Sequence, residues 1–570
     1  MRSPLALLLP LLLIAGACGG EATPTSGAPI AVRAWSERYA WSEWNFSSLF
    51  EGSTVSFLGK ALGSYAEAPE FDGGANPLSP RGSSVFLSDG TELGTISLLD
   101  GVLELTADGR PSAVVLDGVG YFIARPAVAD GETSVTTLYT TDGTAAGTRS
   151  IDRFDGLSSE EWMMTRLVAI GSGKTATLCA VVSINGPDPR TQIDCYRPNE
   201  AMQKVELGTI GLGPYDGITV AQVGDRFYVS GQAGTGTDKR KLFSVVATEQ
   251  ADTLALKSDA LPGLIVSLIA LGDNAAALLI SDAVASEDAA ATHFDIRRLD
   301  ADGTMTTLMS APATAFGGGA PPFAGVGPGA FSAELSADQT TVYLSSYTNE
   351  APDSTSWLYA LVRGAEPRVL ASGSTFESTY DLHRAPDGRI GVVASGVFSW
   401  IVDLGLKVVA TAPKDHYFSA PILLADGSAY LPTYTTAPEL AGESTPWFYV
   451  PATGPAASFA LTKVSGTVNL HQGGGLRFAT FDGAVYVIAS REAVRDQEQE
   501  GKVVQPSAHW LYRVVDGVAT ELSIDWPLAP GERRQPHWLP LLNGRLLLET
   551  TVLEQTGEEV LRTELFELLP

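Results

Sequence analysis

The stretch AIGSGKTAT at 169–177 is the first candidate for chemistry, because a glycine-rich turn ending in Lys-Thr can cradle phosphate on its backbone amides. A phosphate loop needs its first glycine five residues before Gly173, and Val168 stands there. The run also leads into TATLCAVV, which reads as a strand, whereas phosphate is held at the start of a helix. We therefore read it as a hairpin turn. Acyl transfer has no better footing, since no Gly-x-Ser-x-Gly elbow is present. The six histidines, His293, His383, His416, His471, His509 and His537, show neither a short metal-binding spacing nor an HExxH pair. Only distant strands could bring them together. Calcium is the one cofactor with a case: Asp300 and Asp302 precede Gly303 at the spacing that opens a calcium loop, but the later ligands and the bidentate Glu are missing. An ordinary Asp-Gly turn explains the same residues. No catalytic set and no established metal site emerges.

The elements that would carry any site are short strands. Asp-Gly occurs fourteen times, at 72, 89, 100, 108, 117, 130, 142, 155, 216, 302, 387, 426, 482 and 516, counting the Asp. This dipeptide supplies the positive φ angles of tight hairpins, and apolar runs such as GVGYFIA, TVYLSSY and AVYVIAS flank it. Helical periodicity is confined to RAWSERYAWSEW at 33–44, the one short helix expected. The apolar stretch 264–280 is broken by Asp273 and Asn274 and reads as two buried strands around a turn. The class is all-β.

The hairpins recur. Strands opening with an apolar or aromatic pair begin near Val85, Leu138, Leu242, Leu358, Phe448, Leu511 and Leu565, with less regular equivalents near Cys195, Ile296 and Trp400. Each unit orders a strand and tight turn, a second strand, a variable loop, a third strand and a closing strand. Four strands at a period of roughly 40 to 60 residues are the signature of a β-propeller blade. Ten such units exceed the usual count, so the expectation is one large propeller of seven or more blades over 30–570, with a split near 311–331 into two smaller tandem propellers as the alternative. Closure should pair the first strand near Ile30–Trp35 with LRTELFELL at the C-terminus.

Two units share a longer phrase. VFLSDGTELGT carries Asp89, Gly90, Thr91 and Gly94, and LYTTDGTAAGT carries Asp142, Gly143, Thr144 and Gly147. The phrase resembles bacterial extracellular propeller-like repeats of the pattern ELWxSDGTxxGT, with Phe86 and Tyr139 in place of the family's Trp and Ser84 and Thr137 in place of its Glu. AELSADQTTVYLSS (333–346) and LHRAPDGRIGVVAS (382–395) are similar to TolB-type periplasmic propeller repeats. Both resemblances imply a propeller, and neither implies one reaction. In the phrase, the third strand should enter a tight turn and emerge as the outer strand. In VFLSDGTELGT, Gly94 should sit where backbones approach closely or a bulge is needed.

The ends and the composition set the compartment. Arg2 and the apolar run LALLLPLLLIAGA read as an export signal over 1–17, too short to span a bilayer comfortably. IAGAC resembles the lipobox of bacterial lipoproteins, which implies that Cys18 carries the lipid, with 18–29 as a flexible tether and the outer membrane as destination. Cleavage near Ala17 to give a soluble secreted protein is the alternative. The net charge of −28 disfavours nucleic acid as a partner. Cys179 and Cys195 lie equally far from Pro187 at a hairpin tip, and an exported compartment permits the cross-strand disulfide this predicts; two separate buried thiols are the alternative.

Function is the least determined reading. The leading expectation is a monomeric, lipid-anchored envelope propeller, non-enzymatic, that binds a protein or glycan and meets the membrane only through its N-terminal lipid. The alternatives are a polysaccharide hydrolase or lyase with carboxylates from different blades at the channel mouth, and a structural part of an envelope assembly. Trp35, Trp41, Trp44, Trp510 and Trp538 are candidates for stacking on a ligand or for filling the gaps between blades.

Overall fold

The computed structural model describes residues 28–30, 32–34, 55–65, 84–89, 95–104, 106, 111–127, 135–154, 162–185, 190–198, 203–211, 219–232, 240–249, 254–259, 264–271, 274–281, 293–312, 331–347, 355–374, 380–394, 396–435, 446–461, 478–491, 494–495, 503–505, 508–524, 527–539, 541–542, 544–554 and 560–569. Cys18, Trp35, Trp41, Trp44 and His471 lie outside them, as do Gly90, Thr91 and Gly94 of the first repeat phrase.

Among the described residues the chain is a succession of ten four-stranded antiparallel units. Unit one is Val55–Phe57, Lys60–Tyr65, Ser84–Ser88 and Ile96–Leu103, and unit two is Ala113–Leu116, Val119–Pro126, Thr136–Thr141 and Arg149–Phe154. Unit three is Trp162–Ile170, Thr177–Asn185, Arg190–Arg197 and Gln203–Gly211; unit four is Thr219–Val223, Arg226–Gln232, Arg240–Val246 and Lys257–Asp259. Unit five is Leu264–Ala270, Ala275–Ser281, His293–Asp300 and Met305–Pro312; unit six is Phe331–Leu335, Thr341–Tyr347, Thr355–Val362 and Arg368–Ser374. Unit seven is Tyr380–Arg384, Ile390–Ala394, Val397–Val402 and Gly405–Thr411. Unit eight has a first strand in two pieces, His416–Phe418 and Ile422–Leu423. Its second strand runs from Ala429–Leu431 into Thr433–Thr435, and Trp447–Val450 and Ala457–Phe459 complete it. Unit nine is Phe478–Phe481, Ala484–Arg491, Ala508–Val515 and Val518–Ile524. Unit ten takes Glu532–Trp538, Arg545–Glu554 and Val560–Leu568 from the C-terminus and its outermost strand, Val32–Ala34, from the N-terminus.

All ten anchor positions read from the sequence fall in the third strand of a unit. The expected closure is present as Val32↔Leu568, Arg33↔Glu567 and Ala34↔Phe566. Just before it, Ala28–Ile30 runs parallel to the outer strand of unit nine, so the N-terminal segment stitches two units. The helix expected over 33–44 is contradicted where it can be seen, since Arg33 and Ala34 are strand; pairing with the last unit overrides local periodicity there.

Burial explains the strand sequences. A second strand sandwiched between neighbouring units is covered on both faces, so Ala484–Ala489 is buried at every position. An outer strand such as Gly405–Thr411 is mostly exposed or half-buried. Successive units share apolar clusters. Leu279, Phe294, Ile296 and Leu308 of unit five pack with Leu335, Leu344, Tyr359 and Leu361 of unit six. Each such fully buried side chain contributes about 1.5–3 kcal/mol. This shared core bridges the units on either side of 311–331, and comparable clusters join units one to two and seven to eight. Four-stranded meanders stacked face to face and latched by an N-terminal strand make the chain a β-propeller.

The two faces differ. Strand one joins strand two, and strand three joins strand four, by tight turns on one face, hereafter the turn face. The opposite strand ends, where strand two leads to strand three and one unit to the next, define the other face, hereafter the loop face. Asp-Gly serves the turn face in two ways. Asp117, Asp482 and Asp516 themselves take positive φ, with their glycines, in two-residue hairpins. Asp142, Asp302 and Asp426 instead turn their carboxylates back onto the amide two residues on, at 2.9, 2.8 and 2.8 Å.

Candidate functional site at the seam of units seven and eight

The repeat phrase is a turn-face structural device. Thr144 donates to Asp142 Oδ1 through its amide at 2.9 Å and its hydroxyl at 2.7 Å, and these bonds hold the Asp142 carboxyl below its ordinary pKa. Gly147 N donates to Thr144 Oγ1, and the hydroxyls of Thr141 and Thr148 meet at 2.8 Å. The matching pair in unit one, Ser88 and Thr95, meets at 2.6 Å. Gly94, for which a close backbone approach or a bulge is expected, lies outside the described residues. A Cβ on Gly147 would stand 2.0 Å from Asp142 Oδ1, so it is a side-chain carboxylate, rather than a neighbouring backbone, that needs the space. Asp89 is half-buried on the same face.

Other sequence candidates also resolve into structure. Cys179 and Cys195 are cross-strand partners in a buried disulfide. The 169–177 stretch is the strand one-to-two turn of unit three, with a short 3-10 turn at Gly173–Thr175 and Gly173 N bound to Asp117 Oδ2 of unit two. Asp300 accepts from Arg298 Nε at 2.7 Å, and Asp302 is bound to the Thr304 amide. No cluster of three or more His, Cys, Asp or Glu side chains able to hold a metal occurs among the described residues. His293, Ser310 and Asp295 approach one another on the outer strands of unit five, but Ser310 Oγ donates to Asp295 Oδ1 at 2.6 Å. A serine whose proton is committed to a carboxylate is not the nucleophile of a Ser-His pair.

Arginines fix the turn face between units. Arg197 is buried, and its guanidinium donates to the carbonyls of Lys174 and Thr175 in unit three and of Thr248 and Glu249 at the end of unit four's third strand. Arg226 reaches Asp302 O at 3.2 Å, Arg298 reaches Gln339 O at 2.5 Å, and Arg389 reaches Gly427 O. Each ties one unit to the next.

The shortest link between a second and a third strand is in unit seven. Its strand two-to-three connection is only residues 395 and 396, and residues 412–415 lead on to unit eight. These two connections are tied by Ala412 N to Gly396 O at 2.7 Å. At their foot lie the innermost strands. Tyr380 and Leu382 pack toward unit six, so alternation turns Asp381 and His383 toward unit eight. On unit eight, Tyr417 and Tyr434 are register partners at the loop-face ends of their strands, with ring centroids 5.7 Å apart.

The electrostatics of this seam are unbalanced. Asp381 is solvent-exposed but surrounded by protein, and desolvation raises its pKa against the weaker pull of His383. It has no hydrogen-bond or ion-pair partner among the described residues. Burial lowers the His383 pKa, so the imidazole is held neutral, and its Nε2 is buried without a partner. Tyr434 is raised by burial and then by Tyr417 and Asp381. Sequence reading missed Asp381, Tyr417 and Tyr434. Their signal was an Asp and a His two apart on an innermost strand, beside the shortest loop.

No family model matches the chain, and no curated protein does. Among solved structures, prolyl oligopeptidase B from Galerina marginata aligns at 11% identity and TM-score 0.33, over 78% of this chain and 55% of that one. The β-propeller domain of the Trilobed protease from Pyrococcus furiosus aligns at 10% identity and TM-score 0.27, over 64% of this chain and 99% of that one. An acylaminoacyl peptidase from Pyrococcus horikoshii aligns at 10% identity and TM-score 0.27. The chain thus spans about half the length of the oligopeptidase it matches. Likeness at this level carries no argument about activity.

Proposed function

We propose that this chain is a lipid-tethered cell-envelope propeller that binds a protein or glycan partner through its loop face. The observation that supports this reading most is the difference between the two faces. The turn face is built from tight Asp-Gly turns clamped by arginines, whereas the loop-face strand ends are joined by the longer stretches of sequence and include Asp381, Tyr417 and Tyr434. Variable loops on a rigid scaffold are where binding residues concentrate.

The test is capture from gently cross-linked envelopes with the tagged chain. Tyr417→Ala combined with Tyr434→Ala should lower recovery of the partner at least several-fold. Arg363→Ala, an exposed turn-face change, should leave it intact. Equal recovery by all three proteins would count against the loop face.

A further inference from the structure

We propose that the rim of units nine and ten is the membrane-contacting surface of this propeller, an edge of exposed aliphatic side chains that the chain's own N-terminal lipid holds against the bilayer. The inference rests on the lipid-tether reading and adds which part of the fold meets the membrane. Two independent observations carry it.

The first is where the N-terminal segment joins the fold. Ala28–Ile30 pairs with the outer strand of unit nine, Ala28 opposite Leu522 and Ile30 opposite Ile524, and Val32–Ala34 is the outermost strand of unit ten. Because the first of these pairings is parallel, Ala28–Ile30 runs in the direction of Val518–Ile524, with its N-terminal end toward Val518. Cys18 stands ten residues before Ala28. Ten residues span at most about 36 Å, whatever path they take. A compact chain of this length has a radius of gyration of roughly 24 Å, so the fold is wider than the tether is long. A lipid on Cys18 therefore brings units nine and ten to the bilayer before any others.

The second is what those units expose. Val518 opens the outer strand of unit nine, the strand that holds Leu522, and is 67% exposed. Leu541, 42% exposed, pairs with Leu546 at the turn-face end of unit ten. Leu546 shares a core with Leu568, the residue opposite Val32, so Leu541 lies at the latched end of its unit. Leu528, between the two units, and Leu561, on the third strand of unit ten, are exposed as well. Aliphatic side chains held in water gain by moving into the lipid interface. A lipid anchor in turn holds more firmly when the protein makes a second contact with the bilayer. Units six and seven also expose valines, Val369, Val402 and Val408, but the N-terminal segment is joined to neither unit. With a net charge of −28 the chain is not drawn to an anionic surface by charge, so the contact is apolar.

The experiment places a fluorophore at each edge of the lipidated chain. Full-length protein is purified from membranes and reconstituted into vesicles of phosphatidylethanolamine and phosphatidylcholine. Val518→Cys, Leu541→Cys and, at the competing edge, Val369→Cys are labelled singly with bimane, Cys179 and Cys195 being closed in their disulfide. Quenching by a phospholipid with a nitroxide on its headgroup reads contact with the bilayer surface. Val518→Cys and Leu541→Cys should each be quenched several-fold more than Val369→Cys. Intact mass of each preparation shows whether Cys18 carries lipid; without it the tether reading fails and this inference falls with it. With the lipid present, equal quenching at all three sites, quenching at none, or the strongest quenching at Val369→Cys overturns the membrane-contact inference alone and leaves the tether standing.

Discussion

Replacing Glu549 by Gln should change how the stability of this propeller depends on pH. Glu549 lies in the second strand of unit ten, opposite Trp538 and Leu565, and is 2% exposed. Its Oε2 has no hydrogen-bond partner, and burial raises the carboxyl from 4.5 to about 8. Between those values the unfolded chain releases the proton and the folded chain keeps it. Folding therefore binds one more proton, and stability falls by about 1.4 kcal/mol per pH unit as pH rises through this window. The accumulated penalty is about 3 kcal/mol at pH 7 and about 5 kcal/mol above pH 8, as orders of magnitude, and it vanishes below pH 4.5. The Gln side chain has no such proton to lose. Thermal or urea unfolding followed by tryptophan fluorescence should give midpoints for Glu549→Gln that move progressively above the wild type from pH 5 to pH 8. A constant offset from the amide itself does not affect this slope. Midpoints that stay parallel across the range would refute the reasoning, because they would show that Glu549 ionises normally in the folded chain.

Three further outcomes follow from the same geometry. Gly147→Ala would push a Cβ into the Asp142 carboxylate and break its two bonds to Thr144, costing about 1–2 kcal/mol; faster amide exchange at Gly143–Thr148 is the readout. Reducing the disulfide, whose cysteines are 16 residues apart, should lower stability by about 3 kcal/mol. Alkylation before and after reductant should add label to Cys179 and Cys195 only after it. Arg197→Met leaves four backbone carbonyls of units three and four without their donor, and should cost about 3 kcal/mol or more. Arg363→Met on the exposed surface is the control and should leave the unfolding midpoint unchanged.

The architecture was legible because it is written locally. Turn chemistry and apolar runs sit within a few residues of each other, so the third strands near Val85, Leu358 and Leu511 could be placed without any long-range contact. The cysteine pairing was legible for the same reason, since both lie symmetrically about one hairpin tip. Closure through Val32–Ala34 was anticipated from the ends of the chain, yet the same residues were read as the start of a helix, because their partners lie some five hundred residues away. The seam was not legible. Asp381 and Tyr434 belong to different units, and only the stacking of unit seven on unit eight brings them together. The same holds for the arginine clamps, where Arg298 looks like a surface residue until Gln339 of the next unit is placed beside it. Glu549, in the stretch RLLLETT, carries no mark of its burial, which comes from packing on both sides of its sheet.

Cross-linking mass spectrometry on the tagged chain, captured with its partner from the envelope, tests the loop-face claim most directly. The account predicts that cross-links to the partner map to Lys414 and to the loop-face connections, and that Asp381→Asn reduces them. Cross-links concentrated on turn-face lysines such as Lys60 and Lys174, with Lys414 unmodified by the partner, would contradict it.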